Sequence, residues 1–182
     1  MAHAVHVKKA QKDYPEHGIK KGESYYWWKF KRGGKYYSKT APRRSQLTQS
    51  AFYAAIFDIE DEIADAPADD GLAGIADDIA SRLRELGDEC QSNLDNMPEG
   101  LQQGSSGELL QERVSAMEQA ADEIESLEFD EPNGDDFDLP EQEEGESDEK
   151  YAERREEAIE HETQAYWESK LEELQAVSIE AP

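Results

Sequence analysis

Charge is divided along this chain, and the division limits what the chain can fold into. Residues 1–45 carry 12 Lys and Arg against 3 Asp and Glu, a net of +9, and the rest of the 182 residues carry a net of −34. A stretch that anionic repels itself and stays compact only where apolar side chains recur regularly enough to offset the repulsion and the entropy of ordering. Folded elements are therefore sought where such spacing appears, and acidic runs without it are expected to stay solvated.

In the cationic head, Ser24-Tyr25-Tyr26-Trp27-Trp28-Lys29-Phe30-Lys31-Arg32 and Lys35-Tyr36-Tyr37-Ser38-Lys39-Thr40 flank Gly33-Gly34. Two β-prone runs around a glycine pair predict a hairpin, because glycine tolerates the positive φ of a tight turn. Alternation puts Tyr26, Trp28, Phe30 and Arg32 on a core-seeding face, with Tyr25, Trp27, Lys29 and Lys31 on a solvent face. Residues 1–21 show no sustained period and are expected to form a basic arm. A lone hairpin is marginal in water and needs a cover. Phe52, Ile56, Ile59 and Ile63 supply one, an amphipathic helix over about 46–66 with Thr48 or Ser45 as its N-cap. Residues 22–66 are thus read as a hairpin plus a helix.

Beyond Pro67 and Gly71, a longer stripe (Leu72, Ile75, Ile79, Leu83, Leu86, Cys90, Leu94, Met97) predicts a helix over about 72–96 that packs on another helix of this chain or of a partner. Pro98-Glu99-Gly100 and Gly104-Ser105-Ser106-Gly107 read as a linker. Leu110, Val114, Met117, Ala121 and Ile124 predict a helix over about 108–127, paired antiparallel with its predecessor to make an acidic helical hairpin within 67–127. Residues 128–149 hold twelve acids, no base and four breakers (Pro132, Gly134, Pro140, Gly145), the composition of a disordered linker. A last helix, about 147–177 within a 150–182 segment, concentrates its apolar residues late, and Trp167, Leu171 and Leu174 are expected to dock a partner helix. The fold class is α+β, mainly helical, with the small sheet at the N-terminal end.

The head has the composition of a nucleic-acid or acidic-surface binder. Lys29, Lys31, Arg32, Lys35, Lys39, Arg43 and Arg44 supply cations for phosphates, and Trp27, Tyr25 and Tyr37 supply rings that can stack on bases. The same aromatics would also serve as a small hydrophobic core. The acidic body is compatible with three roles: a solvated surface, a mask for the head, or an imitation of DNA. Chemistry has little to stand on. His3, His6, His17 and His161 and the single Cys90 have no zinc-site spacing, and no phosphate-cradling glycine loop or nucleophile elbow occurs. The carboxylates are abundant, but no apolar setting tunes one for acid-base work. The expectation is a protein that is not an enzyme and uses no metal or cofactor. One cysteine permits no internal disulfide, and no apolar run approaches the ~20 residues of a membrane span. A soluble cytoplasmic protein with no membrane partner follows.

The stretch Gly22-Glu23-Ser24-Tyr25-Tyr26-Trp27-Trp28-Lys29-Phe30, with Gly33-Gly34-Lys35-Tyr36-Tyr37-Ser38-Lys39-Thr40 and Ser45-Gln46-Leu47-Thr48, resembles small uncharacterised proteins of tailed bacteriophages and prophages. Its strand, turn, strand and helix order is similar in outline to the arm-site DNA-binding domain of tyrosine recombinases, without their catalytic domain. The resemblance implies a phage-type origin, a place in the host cytoplasm or the virion, and a DNA-facing hairpin built from Lys29, Lys31, Arg32 and Lys35. The leading expectation is a non-enzymatic accessory or regulatory protein. Its basic head binds nucleic acid or an acidic partner surface, and its acidic body modulates that contact or recruits a protein. The alternatives are a DNA-mimic inhibitor of a host DNA-binding or defence protein, and a virion structural or assembly protein that self-associates through its helical stripes.

Overall fold

A computed structural model describes residues 1–130, 132–133, 137–180 and 182. The fold is α+β: a three-stranded antiparallel sheet near the N-terminus, then helices. The chain divides into two compact units, Met1–Asp61 and Glu62–Pro182.

In the first unit, β1 (Val5–Val7), β2 (Tyr25–Lys29) and β3 (Lys35–Ser38) pair in that order. The sheet therefore recruits a strand from the segment expected to be a free arm. Val5, His6 and Val7 oppose Trp27, Tyr26 and Tyr25, so a β-branched pair too short to show a period completes the hairpin. The chain then doubles back through the 3-10 turn Pro15–His17, and Gly18 takes φ +67° to let Tyr14 and Ile19 bond each other in both directions. Ile19 and Ala10 are buried against Tyr25, with Val7, Tyr14, Trp27 and Tyr37 around them.

That cover revises the face assignment. Tyr25, expected to face solvent, is only 7% exposed, while Trp28 on the opposite face is 5% exposed and stacks on Tyr36 with ring centres 5.7 Å apart. Both faces of the sheet bury aromatics, because the segment before β2 closes over one of them. A second 3-10 turn, Arg44–Leu47, precedes α1 (Ala51–Asp65). Helix α1 starts later than expected, and Ser50 Oγ accepts from the Tyr53 N–H at 3.4 Å in the place foreseen for Thr48 or Ser45. Leu47 O accepts from the Ala2 N–H, and Arg32 O from the Gln49 amide, tying the turn segment to the sheet.

The second unit is built on α2 (Leu72–Asp95) and α4 (Ser105–Glu125). They run antiparallel: Arg84 reaches Asp122 and Glu125, while Gly87 lies beside Met117 and Val114. The buried stripe of α2 is Leu72, Ala76, Ile79, Ala80, Leu83, Gly87, Cys90 and Leu94, and that of α4 includes Gly107, Met117, Ala120, Ala121 and Ile124. Small residues alternate with large ones, so the two helices interlock. The stripe that suited self-association is used within the chain. The expected linker holds a short helix, α3 (Glu99–Gln102), and Ser105–Gly107 already belong to α4. Gly107 is required there, since a Cβ would stand 1.9 Å from the Gln102 carbonyl oxygen.

Helix α5 (Asp148–Ala176) begins at Ser147, whose hydroxyl caps it by accepting from Lys150 N–H. Of the residues expected to dock a partner helix, Trp167 is 6% exposed and Leu174 is fully buried, and Leu171 is half-buried. That surface is occupied by the protein's own second unit: α5 contacts α2, and the Gln175 amide donates to Ile63 O. Within the segment expected to be disordered, residues 131 and 134–136 lie outside the described residues. The remainder carries no helix or strand before α5, yet it is anchored. Tyr166 Oη donates to Asp130 O at 2.7 Å, and Arg154 binds Glu141 O and both carboxylate oxygens of Glu146. Arg154 holds the Glu146 carboxyl below its ordinary pKa, helped by the backbone N–H of Glu143.

Candidate nucleic-acid interface

The hairpin's chemistry follows from its register. Tyr26, Trp27, Trp28 and Lys29 oppose Ser38, Tyr37, Tyr36 and Lys35, so Tyr25, Trp27, Lys29, Lys35 and Tyr37 share one face. Along that face the side chains grade from buried Tyr25 through half-buried Trp27 and Tyr37 to exposed Lys29 and Lys35. The strands end earlier than the sequence suggests. Residues 30–34 form the connection, with Gly33 at φ +139°, so Lys31 and Arg32 sit in the loop rather than on opposite strand faces. Phe30 meets Tyr36 edge-on with ring centres 5.6 Å apart at the start of this connection, which spans five residues where the glycine pair predicts a two-residue turn.

The expected cations separate into two groups. Lys39 lies 3.4 Å from Glu23, and Arg44 is paired with Glu60 while its guanidinium covers the Phe57 ring at 4.2 Å. Lys29, Lys31, Arg32, Lys35 and Arg43 are exposed and have no carboxylate partner among the described residues. Lys35 Nζ rests 4.4 Å from the centre of the Trp27 ring. The cation–π contact fixes the lysine without neutralising it. Lys29 faces Lys35 directly across the ladder, an arrangement that disfavours the strand pair. Four unneutralised cations within residues 29–35 thus crown a sheet whose base is packed around buried Tyr25.

The aromatic residues divide as well. Tyr25 is removed from the candidate stacking set by burial. Its hydroxyl is pushed up to about 12, first by the side-chain hydrogen bond with Tyr14 and then by burial. Trp27 and Tyr37 keep partial exposure. The His17 imidazole stacks on Tyr37 with centroids 4.4 Å apart and planes 19° from parallel. Sequence reasoning missed the contribution of Lys12, Tyr14 and His17, which the Tyr14–Ile19 turn carries to this side of the sheet. Pro15 followed by Gly18 was the available signal of that turn.

Among the described residues no cluster of three or more His, Cys, Asp and Glu could hold a metal ion, and no helix is long and apolar enough to cross a membrane. No family model, curated protein or solved structure matches this chain.

Proposed function

We propose that this is a non-enzymatic, phage-type accessory protein that binds nucleic acid through the tip of its β2–β3 hairpin. The observation that carries the reading is the Lys29–Lys35 pair, flanked by Lys31 and Arg32 and lacking a counter-charge among the described residues. Four like charges held together are mutually repulsive, and successive phosphates of a strand relieve that repulsion while releasing counterions. Trp27, half-buried under Lys35, offers its ring to a base when Lys35 is drawn onto a phosphate. The anionic remainder of the chain modulates the contact, since a tethered polyanion competes with phosphates for the same cations.

The test is salt-titrated binding of the full chain to single-stranded and duplex DNA, with the variant Lys29→Gln/Lys31→Gln/Arg32→Gln/Lys35→Gln in parallel. Each lost phosphate contact flattens the slope of log K against log salt by about 0.7 to 0.9. A variant with unchanged affinity and slope overturns the reading.

A further inference from the structure

Beside the hairpin tip the first unit has a cleft of about 480 Å³, walled by Tyr14, His17 and Tyr37 and edged by Lys12 and Lys35. Asp13 and Glu16 also line it, so its formal charge is balanced and it is poorly suited to hold a phosphate. Asp13 is engaged, its Oδ1 accepting from the Lys21 N–H at 2.6 Å. Glu16 is exposed and has no hydrogen bond or ion pair among the described residues. Flat rings with a hydrogen-bond acceptor at the edge suit a heterocyclic base. His17 already shows the geometry such a ring adopts, lying nearly parallel on Tyr37 at stacking distance, and its exposure leaves its outer face open. Lys12 Nζ, 5.3 Å from the centre of the Tyr14 ring, completes the rim.

We infer that this cleft receives an unstacked base of single-stranded nucleic acid, which piles on His17 and Tyr37 while its strand runs on over the hairpin tip. The inference rests on the tip reading and adds a choice of substrate. Lys35 belongs to both the tip and the cleft, so one strand can touch both without a gap. Bases in a duplex are stacked on their neighbours and cannot enter, so duplex is held by the tip alone. Glu16 accepts from an exocyclic amino group, which adenine and cytosine carry and thymine lacks.

The experiment measures Kd of the full chain for labelled oligo-dA and oligo-dT of about twelve nucleotides and for a duplex of the same length. The proteins compared are wild type, Lys12→Ala/His17→Ala, His17→Tyr, Glu16→Ala and the four-residue tip variant. The expected result has four parts. Lys12→Ala/His17→Ala weakens single-strand binding about tenfold or more and leaves duplex binding within about twofold. His17→Tyr, which keeps a stacking ring, retains single-strand affinity. Glu16→Ala, which removes the acceptor, levels a wild-type preference for oligo-dA, and the tip variant loses both forms. Unchanged single-strand binding by Lys12→Ala/His17→Ala, with loss in the tip variant, overturns the cleft and leaves the tip reading standing. Absence of binding to either form by the wild type overturns both.

Discussion

Arg84 grips the Glu125 carboxylate with two parallel hydrogen bonds, Nε to Oε1 at 2.9 Å and Nη2 to Oε2 at 2.6 Å, and its Nη2 also reaches Asp122 at 2.8 Å. Most surface ion pairs contribute little, but a bidentate arginine fork is the exception in geometry. The Arg84 hydrogen bond holds the Glu125 carboxyl below its ordinary value of 4.5. A lowered carboxylate pKa gives stability that is fully present above the unfolded value and is lost as pH falls through the folded one. The urea midpoint of wild type should therefore exceed that of Glu125→Gln at pH 6 to 8, with the gap closing below about pH 4.5. A gap that did not change with pH would separate Glu125 from the ionic contact.

Two glycines of the helical pair should respond to alanine in opposite directions. At Gly87 a new Cβ would lie 3.5 Å from Met117 Cβ, an ordinary contact, so Gly87→Ala should stabilise by about 0.5–1 kcal/mol through helix propensity. At Gly107 the same atom would collide with the Gln102 backbone, so Gly107→Ala should destabilise by about 1–3 kcal/mol as α3 and α4 are forced apart. Urea denaturation followed by circular dichroism reads both.

Trp167 packs inside the second unit, so Trp167→Ala should cost about 3–5 kcal/mol. Had the side chain served mainly as a docking point for another protein, the variant would keep wild-type stability in a thermal melt.

Tyr25 should ionise late. Its raised pKa favours the neutral phenol in the folded state, so the stability it contributes is full below about pH 10 and is lost as pH rises through about 12. An ultraviolet titration of wild type against Tyr25→Phe should remove one late-titrating phenol, and an unchanged late step would assign it to another residue.

The helices were legible because their apolar spacing is long. The limits of α2 and α5 fall within a residue or two of the expected ones, since the stripe of α2 and the serine cap of α5 are local signals. Other features depended on non-local contacts. Val5 and Val7 become strand only because β2 offers them a ladder. Tyr25 is buried because Ile19 and Ala10 fold over it, which period-two alternation cannot register. Trp167 and Leu174 formed an apolar patch whose location was legible, whereas the element covering it was not. At the candidate site, Lys29 and Lys35 were readable as hairpin cations. Their direct opposition depended on β2 ending at Lys29, three residues before the Arg32 at which the β-prone run ends.

Residues 46–182 contain only seven basic side chains, and Arg82, Arg84, Arg113, Arg154 and Lys170 each bind a carboxylate or a backbone oxygen. In so anionic a body a positive charge is scarce enough to act as a fastening, and most of the fastenings are in use. Tolerance to mutation should then depend on the sign of the change. A lysine gained at almost any exposed acidic position relieves repulsion, while an arginine lost releases several acids at once. An engineer wishing to weaken this body without touching its core could remove one guanidinium, which would free the carboxylates it holds at the surface while the apolar stripes keep the helices paired.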